Sequence, residues 1–180
     1  MALKATIFKV ELQIADMDRN YYHTHALTIA RHPSETDERM MVRIVAFSLH
    51  AHEALSFTRG LSSEDEPDLW QKSLNDEIET WIDLGQPDEK RIRKACGRAR
   101  QVFIYTYQTR SATLWWSQMK DKLERFENLN IYSLDANQIQ DLAKLAQRNM
   151  QLQCTIQDGT YWLTDGDQTT QVDLTTWKQC

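Results

Sequence analysis

The stretch Pro67–Pro87, PDLWQKSLNDEIETWIDLGQP, decides how the rest of the chain is read. It reads as a strand over Asp68–Lys72, a turn over Ser73–Asp76 and a second strand over Ile78–Asp83. Antiparallel pairing brings the start of one strand beside the end of the next, so Asp68 and Asp83 are expected side by side. Paired carboxylates are hard oxygen donors of the kind that hold a divalent cation. Aspartates also flank hairpins simply because they favour turns, and spacing alone leaves that plainer reading open.

The charge around this hairpin is segregated. Glu64–Glu89 holds ten acidic residues and a single base, Lys72, whereas Lys90–Arg110 holds seven bases and no acid. A metal-dependent phosphodiester site needs both kinds of charge, anions for the metal and cations for the phosphate backbone. Blocks of charge are also ordinary solvated surface. The net charge of −5 argues against a general nucleic-acid coat.

Upstream, Leu3–Ile14 alternates with a slip near Phe8–Lys9, which predicts a strand with a bulge. A turn over Asp16–Asn20 leads to a strand over Tyr21–Ala30, with His23 and His25 on the face of Leu27 and Ile29. No third ligand completes a zinc set around that pair. ARHPSETDER then opens a helix: Pro33 stops the strand, Ser34 is the expected N-cap, and Glu35, Asp37 and Glu38 load the first turn. The helix is expected to run to about Ala54 on a face of Met40, Met41, Ile44, Val45, Phe47, Ser48 and Ala51. Leu55–Arg59 reads as a short strand broken by Gly60, and Leu61–Glu66 as an acidic loop.

Downstream, Asp88 and Glu89 begin a helix that places Ile92, Ala95, Cys96 and Ala99 on one face. Lys90, Arg91, Arg93, Lys94, Arg98 and Arg100 cover the other. A buried strand over Gln101–Tyr107, a helix over Ser111–Phe126, a strand over Asn130–Leu134 and a helix after Asp135 complete an alternating pattern. Such alternation predicts an α/β (α+β) fold with a mixed sheet flanked by helices. Leu152–Gln157, Thr160–Thr164 and Thr169–Trp177 are joined by Asp158–Gly159 and Asp165–Gly166–Asp167, which predicts a closing antiparallel meander. With no repeat, linker or low-complexity segment, residues 1–180 are read as one domain.

The hydrophobic fraction of 41% is enough for a core, and no apolar run approaches the ~18–20 residues of a membrane span. The N-terminus has neither a signal-peptide nor a transit-peptide pattern, so a cytoplasmic protein with no membrane partner is expected. Cys96, Cys154 and Cys180 form neither a disulfide framework nor a zinc pair. Cys180, the last residue of the sequence, is expected to be loose. No glycine-rich phosphate loop and no nucleophile elbow is present.

ARHPSETDER, GLSSEDEPDLWQK and WIDLGQP, followed by RKA and VFIYTY, make the chain resemble the YaeQ family of bacterial proteins over essentially its whole length. The resemblance implies a core similar to that of restriction endonucleases, carrying a variant of the PD-(D/E)xK nuclease motif. Asp68 after Pro67 matches its first carboxylate and Asp83–Leu84 its second element, while Gly85 stands where the motif has lysine. The motif also draws a glutamate from the preceding helix, for which Glu38 or Glu35 would serve. That lysine aligns water and stabilises charge on the phosphate. Gln86 could position water without charge, and Lys72, Lys90 or Lys94 could substitute.

Two functions follow as expectations. One is a Mg²⁺- or Mn²⁺-dependent nuclease or phosphodiesterase, with Asp68 and Asp83 as metal ligands, Glu38 or Glu35 as a further ligand through water, and Gln86 or a displaced lysine aligning the nucleophile. Lys90, Arg91, Lys94 and Arg98 would hold nucleic acid. The other is a scaffold that has lost catalysis and binds nucleic acid or a regulatory protein partner. A third, blander expectation is an interaction domain with an aromatic patch at Trp115 or Trp116.

Overall fold

The computed structural model describes residues 4–59 and 64–180. Gly60, Leu61 and the first residues of the acidic loop lie outside them, as does Leu3. The chain divides into two units, residues 1–41 with 137–173 and residues 42–136 with 174–180.

The first unit is built on a five-stranded mixed sheet. Strands β1 (Thr6–Asp16) and β2 (Tyr21–Arg31) form an antiparallel hairpin, and β8 (Asn149–Gln157) lies parallel to β1 on its other side. β9 (Thr160–Thr164) and β10 (Thr169–Val172) continue from β8 as an antiparallel meander, giving the order β10-β9-β8-β1-β2. β1 pairs with β2 in unbroken register, so the expected bulge at Phe8–Lys9 is absent. Phe8, Val10, Leu12 and Ile14 all point inward, and strict alternation accommodates them without a slip. The Asp158–Gly159 turn is the predicted one: both residues have positive φ, 52° and 74°, as a type I′ hairpin requires.

The second unit holds a six-stranded mixed sheet in the order β11-β7-β6-β5-β4-β3. β3 (Leu55–Phe57), β4 (Leu69–Lys72) and β5 (Ile78–Leu84) are antiparallel neighbours. β5, β6 (Ala99–Thr106) and β7 (Leu129–Leu134) are parallel, connected through helices α2 (Glu89–Arg98) and α3 (Thr109–Leu123). β11 (Leu174–Lys178) pairs antiparallel with β7. Thr169–Trp177, expected as one strand, is therefore two, divided at Asp173 between separate sheets. The mixed α+β architecture expected from the alternation is what the chain adopts. Ile92 and Ala95 of α2 and Met119 and Leu123 of α3 pack on Trp81, Val102, Ile104, Leu129 and Ile131 of the sheet.

Helix α1 (Asp37–Leu49) ends five residues short of the expected boundary. Its N-cap is Thr36, whose Oγ1 accepts from Arg39 N at 3.2 Å. Ser34 instead bonds the His32 ring at 2.6 Å. α4 (Ala136–Ala143) buries Ile139 and Leu142. No helix among the described residues is long and apolar enough to cross a membrane.

Candidate functional site

The hairpin β4–β5 places its two aspartates as the spacing predicts. Leu69 pairs with Ile82, and Asp68 N donates to Ile82 O at 3.0 Å, so Asp68 and Asp83 flank the same end of the ladder. The turn between the strands is held by Ser73, whose Oγ accepts from Asn75 N and Glu77 N, and by Asp76 at φ 66°. Both carboxylates are buried, Asp68 at 4% and Asp83 at 2% exposure. Asp68 Oδ2 accepts from the backbone N–H of Leu84 at 2.9 Å.

The cation that meets them is a side chain. Asp88 caps α2 through Arg91 N at 2.8 Å, and this orients the first helical turn so that Arg91 points back at the end of β5. Arg91 Nε donates to Asp83 Oδ2 and Arg91 Nη2 to Asp83 Oδ1, both at 2.9 Å. This two-bond fork is the strongest geometry available to a guanidinium and a carboxylate. The remaining donors reach the backbone carbonyls of Glu64, at 3.2 Å, and Glu66, at 2.9 Å.

Burial pushes the Asp83 carboxyl above its ordinary range; Arg91 pulls it back and the neighbouring Asp68 charge adds to the rise. Arg91 is itself held above its ordinary value: burial opposes its charge, but Asp83, Asp68 and Asp88 together outweigh that. The two directions agree physically, because Arg91 faces three carboxylates whereas Asp83 faces one guanidinium and another anion.

A divalent cation at this position needs oxygen lone pairs pointing at it. Both oxygens of Asp83 and one of Asp68 already accept hydrogen bonds. Among the described residues, no three His, Cys, Asp or Glu side chains gather closely enough to hold a metal ion. In this arrangement the polar contacts of the pair go to a guanidinium and a backbone N–H.

The other expected site residues are placed as follows. Gln86 Nε2 donates to Ser111 Oγ at 2.7 Å, at the start of α3. Gly85, where the motif has lysine, has φ 93° and donates its N–H to Tyr105 O at 2.9 Å. A left-handed backbone of this kind disfavours any side chain, lysine included. Glu35 is buried and pairs with Arg39 at 2.9 Å, and Glu38 stands in the first turn of α1; both belong to the first unit. Lys72 lies 4.0 Å from the centre of the Trp70 ring and 3.4 Å from Asp76.

The basic face of α2 is largely turned on the chain itself. Lys94 pairs with the Asp65 carboxylate, and Arg98 Nη1 donates to Asp65 O at 2.7 Å. With Arg91 they hold the segment Glu64–Glu66 along the helix. Lys90 and Arg93 make no ion pair among the described residues. The pairing of Arg91 with Asp83 was not foreseen from the sequence, where Arg91 was expected to hold nucleic acid. The available signal was its position four residues before Ala95, at the margin of the helix's apolar face rather than opposite it. Trp115 and Trp116 pack against the core of this unit, and Trp116 stacks on Trp177 with ring centres 5.6 Å apart.

Fold and site together define an α+β protein with a buried carboxylate pair closed by an arginine. The family described as YaeQ protein matches residues 1–174, and the chain belongs to the YaeQ family. It is 50% identical over 179 residues to the YaeQ protein of Salmonella typhi and 49% to that of Escherichia coli strain K12, covering 99% of each chain. The crystal structure of YaeQ from Xanthomonas axonopodis pv. citri superposes with a TM-score of 0.95 at 43% identity, covering 98% of this chain and 99% of that one. YaeQ from Pseudomonas syringae gives 0.93 at 36%, covering 98% and 97%.

Proposed function

We propose that this protein is a nuclease-like scaffold that binds nucleic acid without metal-dependent cleavage. The observation that carries the reading is the Arg91–Asp83 fork, which puts an internal cation at the carboxylate pair. The related PD-(D/E)xK motif would have a metal there and a lysine at position 85. The binding surface is α2, with Lys90 and Arg93 exposed and Lys94 and Arg98 beside them. The acidic segment Glu64–Glu66 lies on the same cations that would meet phosphates. Its contact through Lys94 is solvent-exposed on both sides, and an exposed ion pair is weak, so a polyanion can displace it.

Fluorescence anisotropy with short single- and double-stranded oligonucleotides tests this. Binding is expected at low salt, to weaken steeply as salt rises, to be indifferent to EDTA, and to fall in the Lys90→Ala/Arg93→Ala/Arg98→Ala variant. No binding at low salt would overturn the nucleic-acid reading.

A second reading, a Mg²⁺- or Mn²⁺-dependent phosphodiesterase, is favoured by the closeness of two buried carboxylates. It requires Arg91 to withdraw from Asp83. Cleavage that depends on added Mn²⁺ and is lost in Asp83→Ala would select it over the first.

A further inference from the structure

Cys180 is not loose. Its backbone N–H donates to Asn130 Oδ1 and its thiol to Leu129 O, both at 2.9 Å. The pairing of β11 with β7, with Lys178 opposite Ile131, carries the chain to that point. From the other side, the last turn of α2 reaches the same place. Asn128 Nδ2 donates to Cys96 O at 3.0 Å, and Cys96 packs against the cluster that contains Leu129 and Ile131, as does Trp177. Three consecutive residues, Asn128 to Asn130, thus hold one cysteine by its carbonyl and the other by its thiol and amide.

We propose that Cys96 and Cys180 are a redox-active thiol pair that closes to a disulfide, fastening the end of α2 to the end of β11. The two thiols are unequal. Cys180 is exposed and Cys96 half-buried. Burial, with a smaller contribution from the nearby Cys180, pushes the Cys96 thiol up to about 11, while Lys178 pulls it down. Cys96 therefore stays protonated in neutral water and serves as the resolving thiol, and Cys180 meets the oxidant first.

With a peroxide as oxidant, the Cys180 thiolate attacks one peroxide oxygen and the O–O bond breaks. This yields the Cys180 sulfenic acid and hydroxide, which takes up a proton. Cys96 sulfur then attacks the sulfenic sulfur, the S–O bond breaks, and the Cys96 proton leaves with the oxygen as water. In sum two thiols and one hydrogen peroxide give one disulfide and two waters. The third cysteine, Cys154, is 1% exposed in β8 of the first unit and is the internal control.

The test uses the full chain, reduced, then treated with stoichiometric hydrogen peroxide, alkylated and analysed by mass spectrometry. The expected product has lost two hydrogens, keeps only Cys154 open to alkylation after denaturation, and yields a peptide pair joined through Cys96 and Cys180; dithiothreitol restores all three thiols. Cys96→Ser is expected to abolish the link and leave a Cys180 sulfenic acid trapped by dimedone. Cys154→Ser is expected to leave the link intact. The proposal is overturned if Cys180 oxidises while Cys96 remains fully alkylatable, or if the linked peptides come from two different chains.

Discussion

Arg91 and Asp83 form a two-bond ion pair in which each bond is 2.9 Å, one partner 27% exposed and the other 3%. Removing the arginine leaves a buried carboxylate without its guanidinium. A fully buried pair broken in this way costs about 3–5 kcal/mol; with one partner partly solvated, Arg91→Gln is expected to cost about 2–3 kcal/mol. Urea denaturation at neutral pH measures it, as a lower midpoint with an unchanged slope.

The same variant has a predictable pH dependence. Asp83 already sits above its ordinary value when folded, because of burial. A carboxyl raised in the folded state favours folding when protonated, and that contribution is lost as pH rises through the folded pKa. Without Arg91 the folded value rises further. The deficit of Arg91→Gln relative to the parent is therefore expected to be greatest at pH 7–8 and to shrink as pH falls towards ~4, the ordinary carboxylate range. A deficit that grew on acidification would contradict this account.

Gly85 tests whether the end of β5 tolerates a side chain. Its φ is 93°, and a Cβ there would meet nothing within 4 Å. The obstacle is backbone conformation rather than space. Gly85→Lys is expected to lose roughly 1–2 kcal/mol. The same loss in Gly85→Ala, measured by denaturation, would show that the side chain beyond Cβ is irrelevant.

The hairpin, the parallel strands and their helices were legible because each carries a strong local signal: alternation in Ile78–Asp83, a capping Asp88, Asp-Gly at 158–159. What escaped depends on contacts between segments distant in sequence. Whether Thr169–Trp177 remains one strand is decided by which sheet each half joins, and no local pattern states that. Ser34 and Thr36 are both competent caps; the helix begins at Asp37, so Thr36 caps it, and the Ser34 hydroxyl bonds the His32 ring. The carboxylate pair could be read from spacing. Its guanidinium carried only a weak signal, because Arg91 is one of six bases at 90–100 and is set apart only by lying at the margin of the apolar face.

The junction between α2 and β6 has no loop: the helix ends at Arg98 and the strand begins at Ala99. Asn128 Nδ2 supplies donors to the carbonyls of Cys96 and Ala99, each at 3.0 Å. Asn128→Ala removes them and is expected to cost about 1–2 kcal/mol. Asn128→Asp should cost more, since an ionised carboxylate would face two carbonyls with nothing to donate. Equal stability of the two variants, in the same denaturation series, would mean that these bonds do not hold the junction.

Asp68 separates the charge of the site from its hydrogen bonding. Its Oδ2 accepts from Leu84 N at 2.9 Å, and its charge raises Asp83. Asp68→Asn keeps an acceptor for Leu84 and removes the like charge, so Asp83 is expected to titrate lower and stability to change by less than about 1 kcal/mol. Asp68→Ala removes both, leaving the buried Leu84 N–H without this acceptor at about 1–3 kcal/mol. Amide hydrogen exchange at Leu84 distinguishes the two: protection should persist in Asp68→Asn and fall in Asp68→Ala. If Asp68→Asn lost as much stability as Asp68→Ala, the negative charge itself would be structurally required. The attraction between Asp68 and Arg91 would then contribute to stability alongside the Asp83 fork.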